Sequence, residues 1–321
     1  MGGAAPTPTG KGGKKPLDAA INLVPFIDLL SCCISFLLIT AVWTQLARMD
    51  VQQKQPGSAA ATDFTIPTDG YEAPWRLARF VLTYDSAHVS APPANMAALL
   101  DWAKANPGRF THPGVSNFMG ATFLKQTLVE LAPDRTVLQQ PANDESFAAA
   151  TAPLWAWYDE LRPLLWHDGQ TFPENESVLQ QMLNDGEVDF AMAFDPAAAA
   201  NAVAQGLLPE TVRSYALSGG TLGNVSFVAI PYNAAHREAA QVVADFLLDP
   251  ATQAHAQDIG VLGSFSVLDP ARLSVEQSAA FAALPTSPAL PTLESLGPTI
   301  IEPHPSWTDR LVAEWAKRYT Q

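Results

Sequence analysis

The sequence predicts a membrane-anchored α/β protein, with one N-terminal transmembrane helix followed by a soluble α/β domain. Three observations lead there. Ile21 to Trp43, INLVPFIDLLSCCISFLLITAVW, is the one run long and apolar enough to cross a bilayer. As a helix it rises roughly 34 Å at ~1.5 Å per residue, against a hydrocarbon core of about 30 Å. From Asp63 onward, strand-like and helix-like segments alternate, as in an α/β domain. The formal net charge is −14, and both cysteines, Cys32 and Cys33, fall inside the apolar run. The soluble part therefore has no thiol chemistry, and its acidity argues against a nucleic-acid partner.

Residues 1–16 are rich in Gly, Pro, Thr and Lys and show no apolar period, which predicts a disordered tail. Residues 17–47 hold the span, and 48–62, including VQQKQPGSAAAT, read as a polar linker. Lys11, Lys14 and Lys15 precede the span, while Arg48 and Lys54 follow it. That bias places the N-terminus in the cytoplasm and residues 63–321 outside it, on the periplasmic face of a bacterial inner membrane. An uncleaved anchor fits better than a signal peptide, because Asp28 interrupts the apolar region and Gln45 and Ala47 make a poor cleavage site. Asp28 has two readings. It is a hydrated or protonated carboxyl near the cytoplasmic third of the helix, or a proton carrier facing a partner's polar cavity.

The soluble domain opens with a strand over Asp63–Pro67, and Thr68–Trp75 reads as a loop with two aromatics, Tyr71 and Trp75. Leu77–Tyr84 is rich in strand formers and predicts one buried strand. Asn95–Ala105 is an amphipathic helix with Met96, Leu99, Leu100 and Trp102 inward, stopped by Asn106-Pro107-Gly108. A strand over Arg109–His112, a loop over Pro113–Phe118 and a helix from about Met119 to Leu131 follow. Ser146–Trp166 predicts a long helix whose Trp155, Trp157, Tyr158 and Trp166 read as core. Ser177–Asn184 is a helix, Glu187–Phe194 a strand, and Ala197–Gln205 a helix with Pro196 in its first turn. Ser218–Asn224 reads as a loop before a strand over Val225–Ile230. Helices at Ala235–Leu248, Ala251–Gln257, Val275–Ala283 and Pro305–Tyr319 complete the chain.

Two places invite a ligand. Ser116, Asn117, Phe118 and Gly120 lie where a loop enters a helix, and free N–H groups there favour an anionic or polar group. The competing reading is an ordinary N-cap by Ser116 or Asn117. Asp195 ends a strand, where open α/β sheets bind ligands, and it too reads equally well as a cap. Asn224, in a flexible loop, and the aromatics Tyr71 and Trp75 complete the candidate set.

Two resemblances cover the chain. INLVPFIDLLSCCISFLLITAVWTQLARMDVQ resembles the anchor of the ExbD/TolR family of biopolymer-transport proteins over about Lys14 to Gly57. That resemblance assigns Asn22, Pro25 and Asp28 to the family's Asn, Pro and Asp, and implies proton coupling by Asp28 through an ExbB/TolQ-like channel. From about Asp63, FTIPTDGYEAPW, ALLDWAKANPGRFTHP, FMGATFLKQ, LNDGEVDFAMAFDPA, GNVSFVAIPYNAAHREAAQVVADFLLDPATQ and EPHPSWTDRLVAEWAKRYT resemble the type II solute-binding proteins of ABC importers, in the YnjB-like branch. This implies two α/β lobes that close on a small polar solute, with an ABC importer permease as partner. The fold so implied is incomplete: the anchor and linker stand where the family has its first half-lobe. Helices that return to that lobe, such as Ala235–Leu248, are then expected to keep an uncovered apolar face.

The six histidines, His88, His112, His167, His236, His255 and His304, show no metal-ligand spacing. No G-x-S-x-G, no phosphate loop and no obvious pair of catalytic carboxylates is present. The expectation is no enzyme and no cofactor, but a tethered solute-binding protein. The alternatives are an energy-coupling subunit acting through Asp28, and a fused or misassembled gene product without function.

Overall fold

The computed structural model describes residues 72–320, together with the backbone of 62–63 and 66–67. The predicted tail, membrane span and linker, with Asp28, and the aromatic candidate Tyr71 lie outside the described residues. Among the described residues no helix is long and apolar enough to cross a membrane.

Two short strands, Thr62–Asp63 (β1) and Ile66–Pro67 (β2), pair antiparallel where one strand was expected. Then come Glu72–Arg79 (β3), Val81–Asp85 (β4), Phe190–Ala193 (β5), Val212–Tyr215 (β6), Thr221–Ala229 (β7) and Thr299–Ile300 (β8). They form two three-stranded sheets, ordered β3-β7-β8 and β5-β4-β6. Neighbours run antiparallel except β7 and β8.

β3 and β4 are consecutive in the chain but belong to different sheets. The break falls at Phe80, whose N–H donates to the Leu222 carbonyl at 2.8 Å, while the Arg79 N–H turns to the Phe194 carbonyl at 3.1 Å. The single strand expected over Leu77–Tyr84 is therefore two. An uninterrupted apolar run is blind to a change of sheet, because only hydrogen-bond partners differ across it. The expected loop Thr68–Trp75 also gives way, since Glu72–Trp75 already belongs to β3.

The helices are Met96–Ala105 (α1), Phe118–Leu131 (α2), Asp144–Leu161 (α3), Glu176–Asn184 (α4), Ala198–Ala204 (α5), Arg237–Leu248 (α6), Pro250–Gln257 (α7), Val275–Ala282 (α8) and Ser306–Tyr319 (α9). α1 starts where Asn95 accepts the Ala98 N–H at 2.8 Å. It buries Met96, Leu99, Leu100 and Ala103, one helical stripe. α2 is buried from Met119 to Val129 except Ala121, polar residues included. Its threonines turn their hydroxyls onto their own helix, Thr122 to Phe118 and Thr127 to Phe123, each at 2.8 Å. Gln126 joins the helix to β7 and its approach: its amide donates to the Gly220 carbonyl and its oxygen accepts the Leu222 N–H. Lys125 pairs with Glu302. α3 ends at Leu161 rather than Trp166, and Trp155, Trp157 and Tyr158 are core, as the spacing predicts.

Arg109–His112, expected as a strand, joins no sheet. The Arg109 carbonyl accepts from Asp189 and the Phe110 carbonyl from Trp166, each at 2.8 Å, so single outside bonds replace a ladder. β6 has no counterpart in the sequence reading. It is a four-residue strand, VRSY, too short for an apolar period to register.

The main core gathers around β4 and β5, with Phe80, Leu82, Phe110, Phe123, Leu128, Tyr158 and Phe190 all nearly free of solvent. Each such side chain contributes ~1.5–3 kcal/mol by burial. The β3-β7-β8 sheet is covered much less. On α6, Ala244 alone is buried, while Val242 is 68% exposed, Val243 57% and Phe246 62%. The apolar face expected over Ala235–Leu248 is open.

Candidate functional site

The cleft-forming face of the first sheet depends on one irregularity. β3 and β7 pair as Pro74 with Phe227, but the next pair is Arg76 with Ser226. Trp75 is the extra residue, a β-bulge. Without it Arg76 would face Val225 and point to the opposite side of the sheet, since faces alternate residue by residue. With it, Arg76 and Ala78 share a face with Asn224 and Ser226. Pro74 is tolerated because β3 is an edge strand.

That face forms one wall of an open cavity of about 570 Å³. The other wall comes from helix starts and a strand end: Asn117–Met119 of α2, Asn175–Ser177 of α4, and Phe194 and Asp195 after β5. Its size falls within the range of small-molecule sites, about 300–1,000 Å³.

The charges within it are few and loosely held. Arg76 lies with its guanidinium carbon 5.3 Å from the Trp75 ring centre. Its Nε reaches Ser226 Oγ at 3.5 Å and its Nη1 reaches Asp195 Oδ2 at 3.9 Å, both at the outer limit of contact. Asp195 uses its other oxygen to accept the Ala197 N–H at 3.0 Å. Partial burial raises the Asp195 pKa, against the opposing pull of that N–H and of Arg76. Glu176 is open at the cavity mouth yet crowded by its walls. That desolvation, and then the charge of Asp195, raise its pKa. Phe118 is 56% exposed and meets Phe194 edge to face at 5.4 Å.

The predicted site residues separate clearly. Asn117, Asp195 and Asn224 come together around this cavity. Asn117 also caps α2, accepting the Met119 N–H at 2.8 Å, so for it the two readings are not exclusive; Asp195 accepts the Ala197 N–H ahead of α5, whose cap position is Ala197 and carries no side-chain bond. Asn224 sits within β7 rather than in a loop, because the strand begins at Thr221. Gly120 is buried, and a side chain there would overlap the carbonyl oxygens of Pro113 and Gly114. It permits α2 to pack on the preceding loop and is not among the residues lining the cavity. Trp75 lies beside Arg76, supporting its guanidinium, and its carbonyl accepts from Gln253 at 2.7 Å.

Sequence reasoning missed Arg76, Glu176 and Ser226. The available signal was an arginine within a run of strand formers, YEAPWRLARFVLTY. Among the described residues no cluster of His, Cys, Asp or Glu could hold a metal ion.

Two sheets joined where β3 runs into β4 thus frame a cavity, between strand face and helix starts, of a size that suits a small molecule. The family of bacterial extracellular solute-binding proteins matches residues 34–289. The chain belongs to that family. The match starts inside the apolar run 21–43. Protein YnjB of Escherichia coli K12 is 39% identical over 257 residues, which are 80% of this chain and 64% of that protein. The chain thus spans less than two thirds of this relative's length. Among solved structures, the TpPotD lipoprotein of Treponema pallidum superposes with a TM-score of 0.54 at 16% identity, over 78% of this chain and 70% of that one. A periplasmic thiamin binding protein gives 0.52 at 15% identity, over 84% and 70%. At these identities the likeness is one of fold.

Proposed function

We propose that this chain is the solute-binding component of an ABC importer, holding a small polar solute on the periplasmic side and delivering it to a membrane permease. The observation that carries the reading is the cavity between the crossing strands and the starts of α2 and α4, with Arg76, Asn117, Glu176, Asp195, Asn224 and Ser226 facing it. The bulge at Trp75 turns Arg76 toward the same space as Asn224. Polar groups on both the strand and the helix side suit closure on a ligand. In this reading the apolar run 21–43 tethers the domain to the inner membrane, with Lys11, Lys14 and Lys15 holding its start in the cytoplasm. The second reading, energy coupling through Asp28 and an ExbB/TolQ-like channel, rests on the Asn22, Pro25 and Asp28 motif.

The test is thermal stabilisation of the full chain by a broad panel of sugars, amines, acids, amino acids and nucleosides. At least one polar solute is expected to raise Tm, and Asn224→Ala is expected to weaken it roughly tenfold, the worth of one good hydrogen bond. A panel that leaves Tm unchanged throughout rejects the reading.

A further inference from the structure

Three charged groups line the cavity: Arg76, Asp195 and Glu176. Arg76 and Asp195 are 3.9 Å apart, and the charge of Asp195 raises the Glu176 pKa, so Asp195 couples to both. Neither Arg76 nor Glu176, the two ends of this row, is satisfied. The two contacts of Arg76, 3.5 Å to Ser226 and 3.9 Å to Asp195, leave most of its five N–H donors without a partner among the described residues. The guanidinium carbon lies 5.3 Å from the Trp75 ring centre, and Arg76 lines the cavity. Glu176 makes no hydrogen bond or ion pair with any described residue. Lys125, which lies over the ring of the cavity residue Phe118, is already paired with Glu302. Phe118 and Phe194 add an aromatic wall beside the acidic end.

A neutral solute would leave both ends of the row unpaired. A singly charged one would satisfy one end and leave the other. From this we infer that the cavity takes a small zwitterion, with its anionic group held by Arg76 and its ammonium held between Asp195 and Glu176. The inference rests on the solute-binding reading and adds the chemical class of the solute. A guanidinium edge matches a carboxylate with two parallel N–H···O bonds. An ammonium beside these two carboxylates favours their ionised form, against the burial that raises their pKa values.

The test uses the full chain and probes that differ in charge but not in length: ω-amino acids, and the diamines, monocarboxylates and diols of the same carbon number. α-Amino acids, sugars and nucleosides are screened alongside, with binding read by thermal shift and calorimetry. The expected result is that amino acids bind and the matched diamine, monocarboxylate and diol bind at least about tenfold more weakly, each lacking a charge-assisted bond. Arg76→Gln should then erase the preference for the amino acid over the diamine. Glu176→Gln should erode the preference over the monocarboxylate. Both changes are read as selectivity within one folded variant, so an overall loss of stability does not imitate them. A diamine, acid, diol or sugar that binds as well as the zwitterions overturns the charge assignment and leaves solute binding standing. If no compound of any class binds, both readings fall.

Discussion

His112 carries the most exacting prediction. Its side chain has no exposure to solvent and lies between Phe123 and Phe172, ring centres 4.9 Å away on each side. Nδ1 is 2.7 Å from the Pro113 carbonyl and Nε2 is 2.8 Å from the Tyr158 hydroxyl. A neutral ring that donates from Nδ1 and accepts at Nε2 satisfies both. A second proton would bring an uncompensated charge into an aromatic cage. Burial therefore lowers the pKa from 6.5 to about 4, against the smaller opposing effect of the Pro113 carbonyl. The unfolded chain takes up this proton below about pH 6.5, and the folded chain does not until about pH 4. Between those values the unfolded state binds more protons, so stability is present above pH 6.5 and drains away as the pH falls. At ~1.4 kcal/mol per pH unit, the loss across the window is roughly 3 kcal/mol. The measurement is urea unfolding of the native chain and of His112→Phe at neutral pH and near pH 4, with the ring followed by NMR. The variant should start less stable, because it strands the Pro113 carbonyl and the Tyr158 hydroxyl. Its deficit should shrink by about 3 kcal/mol on acidification. Parallel losses in both proteins, or a His112 resonance that titrates near 6.5, would refute the argument.

Two further substitutions probe the seat of α2. Gln126→Leu keeps the side-chain size but leaves the buried Leu222 N–H and Gly220 carbonyl unpaired, so a loss of about 3 kcal/mol is expected. The Leu222 amide should exchange with solvent markedly faster, and unchanged exchange would show the bridge to be dispensable. Gly120→Ala places a methyl against backbone oxygens that cannot swing aside, so ~1–3 kcal/mol should be lost and the urea midpoint should fall at constant slope. A variant as stable as the parent would mean that α2 has room to move off the Pro113-Gly114 turn.

The sequence by itself determined the segments whose signal is local. Asn95 and Asn117 cap helices because a side-chain oxygen three or two residues ahead of a free N–H is a property of the chain alone. The stripes of α1 and of α4, with Leu179, Met182 and Leu183 buried, follow from helical spacing. The open face of the helix at Ala235–Leu248 was expected too, and the structure shows it as exposed Val242, Val243 and Phe246. Only the tertiary structure decided what depends on pairing across long stretches. The turn of Arg76 into the cavity is set by a one-residue slip against Ser226, a strand 150 residues away, and no local pattern records it. The division of one apolar run into β3 and β4, and the meeting of Asn117, Asp195 and Asn224 in one cavity, arise in the same way. Hydrophobic period tells which side of a strand is buried, whereas the partner strand decides which sheet it joins and which way its charges face.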